Sequence, residues 1–332
     1  MWQMGLSFVS GPVRVRVPAT SANLGPGFDA LGLALALYDE VTAWVTDGGC
    51  QVEVTGEGAG ELPTDERHLI VRAMYETFDV LGGRPPGIAI SCVNRIPQAR
   101  GLGSSSAAIV AGVHLARALV VDGDQRLDRA GLLRIAARLE GHPDNVAPCL
   151  LGGFTIAWME PEGDGVGAEK ASSAPGSGAR AVSLMPAPAI QPTVFVPQER
   201  GLTEVARAAL PATVPHAHAA WTAGRAALLV HALTTDPTLL LPATEDWLHQ
   251  GYRASAMPAT AALVSALRAA GVAAVVSGAG PSVLALTPVP SDFDPGMGWS
   301  AQTLAIDVTG ARIETAILGH AEPDTVAAGR KS

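Results

Sequence analysis

The sequence predicts an α+β fold of two interlocking lobes, and three observations carry that prediction. Period-two apolar runs precede segments of helical spacing in both halves of the chain. With 332 residues and 48% hydrophobic content, the chain can bury one large core or two that share a sheet. The one long stretch without periodicity, the Gly/Ser/Ala-rich residues 160–180, reads as a surface loop joining two strands and not as a domain linker.

Residues 13–17 alternate Arg14 and Arg16 with valines, as a strand does. Residues 41–46 and 51–55 are strands joined at Asp47-Gly48-Gly49. Helical spacing runs over 67–80 and stops at Gly82-Gly83-Arg84-Pro85-Pro86. A strand at 88–93 leads to a long apolar helix at 104–121, and a further helix at 128–139 has Asp128 as N-cap. In the second half a strand is expected at 154–158, then helices at 203–210, 215–233 and 258–270. Strands are expected at 273–277, 282–286 and 303–308. The lobes are drawn as 11–152 and 153–315, with 316–332 as a tail.

A net charge of −9 without a basic stripe argues against nucleic acid as a partner. Cys50, Cys92 and Cys149 are scattered without a CxxC pair, the pattern of buried thiols in a reducing cytosol. The longest apolar run, 31–38, is too short to span a bilayer, and residues 1–10 lack the basic and apolar regions of a leader. A cytoplasmic chain without a membrane partner is expected.

The strongest chemical signal is Pro97-Gln98-Ala99-Arg100-Gly101-Leu102-Gly103-Ser104-Ser105-Ser106-Ala107-Ala108. Gly101 and Gly103 let backbone N–H groups approach an anion without a Cβ in the way. The serines stand at the start of an apolar helix, where free N–H groups and the dipole's positive end favour phosphate. Their hydroxyls add phosphate donors and an oxygen ligand for Mg²⁺. No lysine follows the glycines, which excludes a P-loop, and Ser106 replaces the third glycine of a dinucleotide fingerprint. Polar loops at 18–29, 140–145 and 277–282 accompany this segment, and four such loops point to one shared site.

Together these segments resemble the GHMP kinases. Residues 97–108 resemble that family's second motif, and Ser277-Gly278-Ala279-Gly280-Pro281-Ser282 its third. Pro18-Ala19-Thr20-Ser21-Ala22-Asn23-Leu24-Gly25-Pro26-Gly27-Phe28-Asp29 and Glu140-Gly141-His142-Pro143-Asp144-Asn145 resemble the branch that phosphorylates homoserine. The resemblance implies a two-lobed fold, with an N-terminal lobe like ribosomal protein S5 and a ferredoxin-like C-terminal lobe. It implies ATP and Mg²⁺ as cofactors, L-homoserine as substrate, O-phospho-L-homoserine on the route to threonine as product, and a homodimer.

The resemblance also assigns roles. Residues 97–107 would hold ATP, while Ser105 and Glu140 would bind Mg²⁺. Asn23 and Asp29 would bind the amino acid, with Asp29 facing its ammonium. Arg207 and Arg253 would take the carboxylate through their planar forks. Gly278 and Gly280 would border the substrate, and His142, Asn145 and Thr203 would stand near the reacting hydroxyl. No general base is named: Asp144 is adjacent, and Asn145 would orient the hydroxyl while its proton passes to the phosphate. Leu202, His216-Ala217-His218, Thr222 and Trp247 depart from the branch's pattern. His216 and His218, two apart on a helix, face apart and are not read as a metal site. A sibling kinase for another alcohol and a non-catalytic ligand-binding member of the fold stay as alternatives.

Overall fold

The computed structural model describes residues 6–160, 178–201 and 203–314. The expected tail, Leu202 and most of the Gly/Ser/Ala-rich stretch lie outside the described residues. So does the side chain of Thr203.

The first lobe is built on β1 (Val13–Ala22), β2 (Leu31–Thr46), β3 (Gly49–Gly56) and β4 (Gly87–Asn94), with β5 (Phe154–Glu160) and β6 (Gly178–Leu184). The sheet runs β11-β1-β2-β4-β3, where β11 is Arg312–Glu314, and β5 joins it through β2 and carries β6. The 16-residue β2 serves three partners. Its start pairs with β5, its middle with β1 and its end with β4. The register with β1 shifts between Pro18 and Ala19, where proline has no N–H to give the ladder.

Strands β3 and β4 are parallel, so a crossover must join them, and α1 (Leu69–Leu81) supplies it. Its buried Ile70, Val71, Met74, Phe78 and Leu81 fall on one face at helical spacing, and left-handed Gly82 closes its end. Then follow α2 (Ser104–Leu119), α3 (Gly123–Arg126), α4 (Arg129–Glu140) and α5 (Val146–Leu151). Asp128 caps α4 as expected, accepting from Gly131 N at 2.7 Å.

The second lobe contains β7 (Thr193–Pro197), α6 (Thr203–Ala208), α7 (His216–Thr234), α8 (Leu240–Ala243), α9 (Gln250–Arg253) and α10 (Pro258–Ala269). Strands β8 (Ala274–Val276), β9 (Val283–Ala285) and β10 (Trp299–Thr303) complete it. Its sheet runs β10-β7-β9-β8 with every pair antiparallel, the strand order of a ferredoxin-like fold. Turns and extended chain, not a second crossover helix, connect β9 to β10.

One expectation changes. The strand expected at 303–308 lies at Trp299–Thr303; Leu304 and Ile306 alternate because they pack inward, without a continuing ladder. By sheet membership β5, β6 and β11 all join the first sheet, so the chain passes from one sheet to the other between β6 and β7. The large core crosses this divide. Val194, Val275 and Leu284 of the second sheet belong to it, while alternate residues Phe195, Ala274 and Val283 turn to a smaller core with Leu263 and Leu267.

Candidate active site

The site forms where loops from both lobes meet the N-terminus of α2. The chain leaves β4 and reaches Gly103, which caps α2 in the left-handed region at φ 72°, with Gly101 at the same value. A Cβ on Gly103 would collide with Thr20 Oγ1, and one on Gly101 with the carbonyl of Ser277. These glycines thus allow close approach of the protein's own loops as well as of an anion.

Ser104, Ser105 and Ser106 occupy the first turn of α2. Ser105 Oγ donates to Glu140 Oε2 at 3.0 Å, and buried Ser106 donates to Oε1 at 2.8 Å. Glu140 ends α4, so packing of two helices sets the carboxylate beside the loop. A carboxylate and a hydroxyl side by side fit Mg²⁺, a hard ion that draws its remaining ligands from phosphate and water. Arg100 does not aim its guanidinium into the cavity's centre. It donates to the carbonyls of Gln98, Pro197 and Gln198, each at 2.9 Å, and ties the loop to the second sheet.

The loop after β1 is strained and braced. Asn23 and Asp29 have positive φ, and the Asn23 amide donates to Gly278 O at 2.8 Å while accepting from Asp29 N at 2.9 Å. Asp29 forms a two-point ion pair with Arg207 at 2.9 and 3.3 Å. Arg253 is only 2% exposed and has no carboxylate within ion-pair distance among the described residues. It donates to Ala206 O and to His249 Nδ1, each at 3.1 Å, and lies over Phe28. Burial and neighbouring Arg207 hold its guanidinium below the usual value.

Across the cavity, His142 Nδ1 lies 2.5 Å from buried Asp144 Oδ1, and this hydrogen bond raises the imidazole's pKa. Asn145 Oδ1 accepts from Thr20 at 2.8 Å, so its amide nitrogen is the end left for a ligand. A cavity of about 110 Å³ is lined by Asn23, Asp29, Glu140, His142, Asn145, Arg207 and Arg253, by Gly278, and by Pro97, Ala99 and residues 100–105. The expected residues therefore converge, with some exceptions. Gly280 faces Met257 instead, Gln98 and Ala107 line a neighbouring cavity, and Ser106 turns its hydroxyl to Glu140. That second cavity, about 320 Å³, shares Ala99, Ser104 and Ser105 with the first and is walled by Val17, Val41, Leu69 and Ile70 with Asp39 and His68. Sequence reasoning missed Thr20, Asp39, His68 and His249. Two had a signal: Thr20 lies within the 18–29 loop, and His249 stands just before the Gln250-Gly251-Tyr252-Arg253 segment.

Fold, glycine–serine loop and adjacent carboxylate define a GHMP-type phosphotransferase. The sequence matches the GHMP kinases N terminal domain over residues 68–153 and the GHMP kinases C terminal family over 229–294. A homoserine kinase of Streptomyces avermitilis is 56% identical over 93% of this chain and 98% of its own length. One from Streptomyces coelicolor is 54% identical over 93% of this chain and 96% of its own. The crystal structure of homoserine kinase from Cytophaga hutchinsonii superposes with a TM-score of 0.74 at 27% identity, covering 93% of this chain and all of that one. At this identity and coverage the chain belongs to the homoserine kinase family of the GHMP kinases. Among the described residues no helix is long and apolar enough to cross a membrane.

Proposed function

We propose that the chain transfers the γ-phosphoryl group of ATP to the hydroxyl of L-homoserine, giving ADP and O-phospho-L-homoserine. The single observation that carries the choice of acceptor is Arg253, a buried cation without a carboxylate partner among the described residues, beside the Asp29–Arg207 pair. An unpaired buried charge is costly, and a ligand carboxylate would offset that cost. A zwitterionic amino acid offers a carboxylate to Arg253 and Arg207 and an ammonium to Asp29.

Phosphoryl transfer depends on positioning and charge neutralisation more than on covalent chemistry by the protein. The 97–107 segment would hold the phosphates, and the apolar second cavity beside it suits the nucleoside. Ser105 and Glu140 would hold Mg²⁺, which when bound neutralises charge on the β- and γ-phosphates. With its carbonyl engaged by Thr20, Asn145 would donate an N–H to a lone pair of the homoserine hydroxyl. The hydroxyl proton is then directed toward the phosphate, which receives it, and no side-chain base is required. His142, whose protonated form the hydrogen bond to Asp144 favours, would face the transferring group, and Thr203 completes the set assigned by family resemblance. The same resemblance supports a cytoplasmic homodimer; light scattering of the purified chain checks the oligomer.

An assay of ADP release with homoserine, mevalonate, galactose and shikimate tests the acceptor. Turnover is expected with homoserine, and turnover with another alcohol instead would overturn the assignment. Glu140→Gln keeps the acceptor oxygen for a serine but loses the charge. It is expected to lower kcat by about a hundred-fold or more, on the scale of removing one transition-state stabiliser.

A further inference from the structure

His249 is completely buried, and both of its ring nitrogens are used. Nδ1 faces Arg253 Nη1 at 3.1 Å, and Nε2 faces the carbonyl of Gly25 at 2.7 Å. A guanidinium has hydrogens and no acceptor, so Nδ1 must be the bare nitrogen; a carbonyl only accepts, so Nε2 must carry the proton. Geometry alone fixes a neutral imidazole in its Nε2–H form. Phe28 lies against the ring, with centroids 5.1 Å apart, and buried Asp246 lies 3.5 Å from Nε2 while accepting the backbone N–H groups of Leu248, His249 and Gln250.

This one side chain therefore joins two parts of the site that come from opposite lobes. Gly25 belongs to the loop that presents Asn23 and Asp29, and Arg253 ends α9. The neighbouring Gln250 holds the same short helix to β8 by accepting from Val276 N at 2.7 Å. Gly25 itself sits at φ 82°, where a Cβ would press on the carbonyl of Thr244 at 2.8 Å, so the loop is already seated closely on this lobe.

We infer that His249 is a positioning residue for substrate recognition: as the Nε2–H tautomer it sets the Arg253 guanidinium at a fixed distance from the Asp29 loop. The spacing between the two charges that grip the amino acid's carboxylate and ammonium is thereby determined by one imidazole. Glutamine is the other neutral side chain that can accept from Arg253 and donate to Gly25 with a similar separation of its two polar atoms. The inference rests on the reading of Arg253 as the carboxylate contact.

Steady-state kinetics of His249→Leu, His249→Gln and Arg253→Ala test it. Loss of a hydrogen bond to a charged group predicts a rise in KM for homoserine of about ten- to a hundred-fold in His249→Leu. KM for ATP is expected to stay within about two-fold, and His249→Gln is expected to recover most of the loss. If Arg253→Ala raises KM for homoserine and His249→Leu does not, the positioning role is wrong while the carboxylate reading stands. If Arg253→Ala leaves it unchanged, the carboxylate reading itself fails. Equal rises in both KM values for His249→Leu, unrelieved by glutamine, mean a merely structural residue and overturn the inference. Should His249→Leu not fold, long-range ¹H–¹⁵N spectra of histidine-labelled wild-type protein decide: a neutral Nε2–H ring for His249 supports the role, and a neutral Nδ1–H ring or an imidazolium overturns it.

Discussion

Asp39 shows how a single buried carboxyl sets a pH dependence. Its Oδ1 accepts from the backbone N–H groups of Arg95 at 2.6 Å and Ile96 at 2.9 Å, at the edge of the larger cavity. Burial outweighs these donors and pushes the carboxyl up to about 6. The folded value lies above the unfolded one, near 4, so its contribution to stability is fully present below about pH 4 and lost as pH rises through 6. A shift of roughly two units corresponds to about 3 kcal/mol at most. Asn keeps the accepting oxygen without the charge. Asp39→Asn is therefore expected to match wild type in urea melts near pH 4 and to exceed it by about 2–3 kcal/mol at pH 8. A difference independent of pH would sink the argument. Residues of this kind were not legible in the sequence, because Asp39 gains its environment from partners 56 and 57 positions away. Asp29, Glu140, Arg207 and Arg253 were singled out through the family resemblance of their segments, and the structure brings all four to the lining of one cavity.

The N-terminal turn of α2 carries the argument at the level of elements. Its start was readable because glycine, serine and an apolar helical run each have a local meaning. What the sequence hid is that Gly103 also lets β1 lie against the turn, with Thr20 filling the space a Cβ would need. Thr20 in turn holds Asn145, so one glycine supports the loop, the strand and the residue proposed to orient the hydroxyl. Gly103→Ala adds a left-handed, non-glycine residue and a collision at once. A loss of about 2–4 kcal/mol of stability is expected, together with weaker nucleotide binding by calorimetry. Full stability in the variant would show that Thr20 can withdraw freely. Elements whose pattern is local, such as α1 and α4, matched their expected spans within about two residues. Strand β1 ran on to Ala22, past the valine alternation, because β2 buries it on both sides of Pro18. The apolar run at 31–38 proved to be the first half of β2, where continuous burial removes the period-two signal.

At the scale of the molecule, the two matched family domains do not correspond to two independent cores. The larger core takes Val194, Val275 and Leu284 from the second sheet, and Leu286 just after it, together with Val15, Leu33 and Ile90 from the first. Arg100 adds polar ties from the phosphate loop to the end of β7, and Ser277 donates to Gly101 O at 2.6 Å from the second lobe. Separating the lobes would expose apolar surface on both, so neither gains by unfolding alone. One cooperative thermal transition is expected, with calorimetric and van't Hoff enthalpies in agreement. The candidate site has the same geometry: Glu140 and Asn145 come from the first lobe, and Arg207, Arg253 and Gly278 from the second. Homoserine at a hundred times its Kd is expected to raise the whole transition by about 3–4 °C, because binding adds roughly 2.7 kcal/mol of stability and the shift is that free energy divided by an unfolding entropy that scales with chain length. Two resolved transitions, with only the later one moved by homoserine, would show that the lobes unfold separately and that the ligand is held by one of them.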